Sequence, residues 1–196
     1  MRCSRATLGV SKPLHRGTGK MTRDMRLARA AGLAITIGLA PITAVTAQQP
    51  VFYDPLLDHL VGQWRMEGTI AGQHSVHDVT AEWVLGHQYM RVHEVSRERD
   101  ASGAPVYEAT VFIGWDQKSS EYSCVWLDVY GGISPTSFAK AKRNGDEIPF
   151  IFGDSESATH TTFVYLPKTD SWEWRIDNED KGKASQFARV ALTREQ

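Results

Sequence analysis

Asp54-Pro55-Leu56-Leu57-Asp58-His59-Leu60-Val61-Gly62-Gln63-Trp64 decides how the rest of this chain is read. Asp54 suits a helix N-cap, Pro55 the first helical position and Gly62 a left-handed stop. Residues 55 to 60 are therefore expected to form one or two turns, with Leu56, Leu57 and Leu60 facing inward. This is a short plug and not a bundle helix, because from Trp64 onward the pattern changes. Short segments rich in Val, Ile, Thr, Tyr, Phe and Trp alternate with clusters of Gly, Asp, Asn, Ser and Pro, the spacing of an antiparallel meander.

Ten strands are predicted, over residues 63–71, 75–85, 88–97, 105–114, 120–129, 136–142, 147–153, 159–166, 172–177 and 185–194. Asn144-Gly145 suits a two-residue type I′ hairpin in which both residues take positive φ. Asp100-Ala101-Ser102-Gly103 and Gly131-Gly132 suit longer loops. No interval between strands holds the ~10 to 12 helical residues of a parallel crossover, which excludes a doubly wound fold. Ten strands left open would expose two edges, and closure removes them. The predicted fold is therefore all-β, a ten-stranded antiparallel up-and-down barrel behind a short N-terminal helical plug. A two-sheet sandwich is the alternative.

The first 47 residues are read apart from the fold. Arg23, Arg26 and Arg29 precede an apolar run from Ala30 to Ala40, and Val45-Thr46-Ala47 supplies small residues for cleavage, the order of a secretory signal peptide. Cleavage near Ala47/Gln48 leaves a barrel domain over residues 48–196 in the periplasm or outside the cell, with no stable membrane insertion. The basic stretch ahead of Met21 is long for a signal, and Met21 or Met25 would each begin a conventional one. Residues 48–196 carry 14 Lys and Arg against 22 Asp and Glu, a formal charge of −8. That acidic excess argues against nucleic acid as a partner. Cys124 is the single cysteine of this part, so no internal disulfide is available and stability must come from the core.

Leu60-Val61-Gly62-Gln63-Trp64, then Gly114-Trp115-Asp116, then Tyr122-Ser123-Cys124-Val125-Trp126-Leu127-Asp128 with Gly131, resembles a bacterial, often exported, calycin-like family catalogued as a domain of unknown function. The match runs over nearly all of residues 54 to 194. The family carries no established activity. The resemblance implies a lipocalin-like barrel, similar in shape to fatty-acid-binding proteins and to the haem-binding nitrobindins. Nitrobindins hold iron through a histidine near the C-terminus, and here no histidine follows His160. Met66 also stands where the first glycine of the Gly-x-Trp-x-Gly-x-Gly pattern belongs. No haem, other cofactor or metal is therefore expected.

Barrel closure makes a geometric prediction of its own. If the last strand pairs antiparallel with the first, Arg194 lies level with Trp64. Val190 and Leu192 share its side of the strand, so Arg194 faces inward, over the indole. Trp64 and Arg194 are assigned to structural closure, as in calycins, where such an arginine lies across the tryptophan.

Chemistry is harder to find. His74 and His77 fall on opposite faces or straddle a turn, which disfavours a metal pair. His93 shares one side of strand three with Tyr89, Arg91 and Val95. If that side faces the lumen, His93 is the best placed titratable group. Glu67, Glu82 and Glu94 alternate with apolar residues and are read as solvated outer faces. Gly153-Asp154-Ser155 is read as a turn and Cys124 as an inert buried thiol. The lumen candidates are thus Trp83, His93, Trp126, Tyr165 and Trp174, around a small apolar or amphipathic ligand. The leading expectation is a non-enzymatic ligand binder. An isomerase or cyclase using a lumen His or Tyr is one alternative, for which a polar pair converging in an apolar lumen would speak; a solid-cored structural barrel is the other.

Overall fold

The computed structural model describes residues 51–195, and the expected signal segment with its cleavage site lies outside them. Asp54 caps a single helical turn, α1 (Pro55–Asp58), its Oδ1 accepting from the N–H groups of Leu56 at 2.8 Å and Leu57 at 3.2 Å. Leu56, Leu57 and Leu60 are buried. Ten strands follow: β1 (Gly62–Ile70), β2 (Gln73–Val84), β3 (Tyr89–Ser96), β4 (Glu108–Asp116), β5 (Glu121–Asp128), β6 (Phe138–Ala141), β7 (Glu147–Gly153), β8 (Ser157–Leu166), β9 (Ser171–Asp180) and β10 (Lys183–Arg194). Each pairs antiparallel with its sequence neighbour, and β10 pairs with β1, so the sheet closes.

Alternation along each strand sorts the side chains. In β3 the buried positions are Met90, Val92, Glu94 and Ser96, and in β10 they are Ala188, Val190 and Leu192. Gly68 shows why closure demands a glycine there. A Cβ at this position would stand 2.2 Å from the Arg189 carbonyl oxygen on β10, closer than any side chain tolerates. The register puts Trp64 opposite Arg194, and after a register shift between Gln186 and Ala188 the residues Ala188, Val190 and Leu192 of β10 turn inward.

Two turns differ from expectation. At the β6–β7 connection Asn144 and Glu147 bridge to each other, so the turn residues are Gly145 and Asp146, one place later than predicted. Only Gly145 has positive φ there, at +60°. Lys181 and Gly182, at φ +50° and +76°, make the tight β9–β10 turn, which lets both strands run on to Asp180 and Lys183. The predicted ends at 177 and 185 stop short because Asn178-Glu179-Asp180 lacks the apolar alternation by which a strand is recognised.

Core residues gather at the end where β1 starts and β10 finishes. Trp64, Met90, Ile113, Ile148 and Trp172 are fully buried there with Leu57 and Leu60 of the helical turn. Trp64 Nε1 donates to the Leu60 carbonyl at 2.7 Å, and the Arg194 guanidinium lies over the indole with Cζ 4.3 Å from the ring centre. Arg194 also donates to the carbonyls of Val61 at 3.0 Å and His59 at 3.1 Å and to Asp170 Oδ2 at 2.6 Å. One end of the barrel is closed by this arrangement.

Candidate ligand cavity and its polar wall

Above that core the lumen opens into a cavity of about 1360 Å³. Met66, Ile70, Trp126, Phe152, Trp174 and Val190 form its apolar surface. Tyr130 and Ile133, from the loop after β5, are exposed at its mouth. A space of this size exceeds the several hundred Å³ that small-molecule sites ordinarily need. It also speaks against a solid-cored barrel.

Of the five lumen candidates, Trp126 and Trp174 line the cavity. Trp83 and Tyr165 pack with the core but at the closed end. Trp83 Nε1 donates to Asp58 Oδ1 at 2.7 Å and its indole stacks on His87. The Tyr165 hydroxyl donates to Asp170 Oδ1 at 3.0 Å, lies 3.1 Å from His59 Nδ1, and its ring stacks on His59 at 4.3 Å. His93 is corrected more sharply. It lies on the outer face, half-exposed, with Nε2 2.8 Å from Glu108 Oε1. The inward parity of β3 belongs to Met90, Val92 and Glu94 instead.

That parity corrects the reading of Glu94 as an outward-facing acid. Its side chain is 5% exposed and pairs with His77, 6% exposed, whose Nδ1 stands 2.5 Å from Glu94 Oε1. The strand register explains the meeting: His77 lies opposite Ser96 and Val79 opposite Glu94, so the two side chains are diagonal neighbours on the inner face. Both residues line the cavity. A carboxylate at Nδ1 of a neutral imidazole accepts its N–H and leaves Nε2 as a free acceptor. No described residue bonds Nε2 of His77 or Oε2 of Glu94, and neither atom is sealed away from the cavity.

Two further polar groups belong to this wall. Tyr107, just ahead of β4, accepts a hydrogen bond from Trp126 Nε1 at 3.1 Å, and its ring centre is 5.9 Å from that of His77. Burial first, then the Glu94 charge, holds its hydroxyl far above the usual phenol range, so it stays protonated and able to donate. Trp174 is almost wholly buried, and its Nε1 has no hydrogen-bond partner among the described residues. A buried N–H without an acceptor costs about 1 to 3 kcal/mol, and this one is sealed within the wall behind the cavity surface.

His77 was readable in one respect, because it shares its side of β2 with Val79 and Ala81. Glu94 shares its side with Met90 and Val92 in the same way. Their meeting depended on the β2–β3 register, which no single strand reveals. Cys124 and Gly153-Asp154-Ser155 are as read: burial pushes the Cys124 thiol far up, and Asp154 caps a turn by accepting from Glu156 and Ser157 N–H groups. Among the described residues no group of three or more His, Cys, Asp or Glu is placed to hold a metal.

The molecule is thus a small closed antiparallel barrel with one sealed end and an accessible lumen carrying a buried acid–imidazole pair. No protein-family model matches the chain, and no curated protein matches it.

Proposed function

We propose that this chain is an exported barrel that binds a small apolar or amphipathic molecule in its lumen, in keeping with the calycin-like family its Gly-x-Trp and Gly-Trp-Asp segments resemble. The observation that carries the reading is the cavity itself. About 1360 Å³ bounded by the apolar faces of Trp126, Phe152 and Trp174, and opening past Tyr130 and Ile133, has the volume and the mixed lining of a small-molecule site. A ligand with an apolar body fits these walls, and a polar end can meet Tyr107 or the His77–Glu94 pair that border the same space. The His77–Glu94 pair favours a second reading, in which the bound molecule is also turned over.

Native mass spectrometry of the protein purified from its own host tests the first reading, with a retained small molecule as the expected result. Saturable uptake of Nile red, a neutral dye that reports an apolar environment, is expected once that molecule is stripped. Protein that carries nothing and takes up no dye would sink the proposal. Export rests on residues 21–47, and N-terminal sequencing of the mature protein is expected to begin at Gln48. An intact N-terminus on a cytoplasmic product would remove export.

A further inference from the structure

The geometry points to the His77–Glu94 pair as an acid–base catalytic site, acting on a neutral molecule that carries a weakly acidic C–H next to a carbonyl. This rests on the ligand-holding reading of the same lumen. Three observations carry it. The pair is desolvated yet borders the cavity, so a base here works without a competing water shell. Glu94 holds Nδ1, which turns Nε2 toward the cavity as the proton acceptor and stabilises the imidazolium that forms. Tyr107, with its oxygen already engaged by Trp126, has its hydroxyl hydrogen free to meet an oxygen on which charge develops.

Charge around the site selects a neutral substrate. Glu94 repels an anion, and the one guanidinium bordering the cavity, on Arg97, is held by Asp78 and Glu195. His74 at the rim faces Glu67. In the reaction His77 Nε2 takes the proton from the carbon beside the carbonyl. The C–H electron pair becomes a C=C bond, and the carbonyl π pair moves to the oxygen facing Tyr107. With a second C=C in the β,γ position of the substrate, the imidazolium then returns the same proton to the γ carbon, the double bond settles between the α and β carbons and the oxygen pair re-forms the C=O. The result is an isomerisation with no net redox change and no co-reactant.

A nitrobenzisoxazole supplies the test, because its ring opening needs only a positioned base. The base takes the ring C–H proton, the electron pair completes a nitrile, the N–O bond breaks, and a coloured phenolate leaves. Wild-type protein should open it with saturation kinetics, roughly 100-fold faster than the double variant His77→Gln/Glu94→Gln, in which two neutral amides keep the volume. Glu94→Gln alone should lower kcat about tenfold with KM held, and Glu94→Asp should recover part of that loss, as befits a positioning residue. His93→Gln, on the outer face, should leave the rate unchanged. Should the variants fail to fold, diethyl pyrocarbonate on the wild-type protein replaces them, and the rate must fall in step with the label mapped to His77. Loss of rate without that label, or a double variant as fast as wild type, overturns the catalytic assignment. Nile red separates the two readings: dye uptake without elimination removes catalysis alone, and no uptake removes both.

Discussion

The two ends of this barrel treat their polar groups in opposite ways. At the closed end the indole N–H groups of Trp64, Trp83 and Trp172 each find an oxygen on residues 58 to 60, and Arg194 reaches two carbonyls and a carboxylate. Toward the open end His77 Nε2 and the Tyr107 hydroxyl hydrogen have no partner among the described residues, and both residues border an accessible cavity. Saturated bonding holds a structure in one state, whereas unbonded polar groups at an accessible wall leave hydrogen-bonding capacity open. The difference teaches where stability and function are divided along one axis, and substitutions at each end should read differently.

The largest expected effect is at the closed end. Trp64→Ala removes a fully buried indole and its bond to Leu60, which should cost roughly 3 to 5 kcal/mol in urea unfolding. Loss well under ~2 kcal/mol would mean that the closed end is not where the fold is held.

Arg194→Ala comes next, at about 1 to 2 kcal/mol, because the cation over the indole and two carbonyl bonds are lost together. Since Arg194 and Trp64 touch, the double variant should lose less than the sum by at least ~0.5 kcal/mol, and strict additivity would deny the contact. A pH dependence accompanies it. The Arg194 hydrogen bond, ahead of all other causes, holds the Asp170 carboxyl below its ordinary value. A lowered folded-state value stabilises above the usual Asp range and is lost as pH falls through it. The gap between wild type and Arg194→Ala should therefore narrow below about pH 4. A gap that widens on acidification would contradict the pairing. His93→Ala, which breaks an outer-face pair with Glu108, should move stability by under ~0.5 kcal/mol.

The closed end was largely legible in the sequence and the open end was not, for a physical reason. Asp54-Pro55 and Gly62-x-Trp64 are local signals, and the Trp64–Arg194 register follows from closure plus the parity of Val190 and Leu192. Trp83 and Tyr165 show what parity leaves out. Both pack with the core, but their height along the axis sets them against the helical turn and away from the cavity. Height depends on the stagger of all ten strands, which period-two alternation does not contain. Glu94 shows the other gap. A charged residue among apolar ones reads as outward because burial of an unpaired carboxylate is prohibitive, and its partner His77 lies 17 positions away on another strand.

A small expected change in stability also belongs to Trp174→Phe, and it separates the two ends most cleanly. At Trp64 the N–H is bonded, so its removal loses an interaction; at Trp174 the N–H has no acceptor, so its removal also relieves a desolvation cost of about 1 to 3 kcal/mol. Against that gain stands the volume lost between indole and phenyl beside Phe163, whose ring centre is 4.8 Å away. The two effects oppose each other, and the empty barrel should change by no more than ~1 kcal/mol in urea unfolding. A ligand in the cavity does not reach this sealed N–H, so it should stabilise the variant and the wild type to within ~0.5 kcal/mol of each other. Stabilisation of the variant weaker by the ~0.5 to 1.5 kcal/mol of a hydrogen bond would mean that the indole turns to present its N–H to the ligand. A large loss in the empty barrel would instead mean that Trp174 is part of the load that the closed end was thought to bear alone.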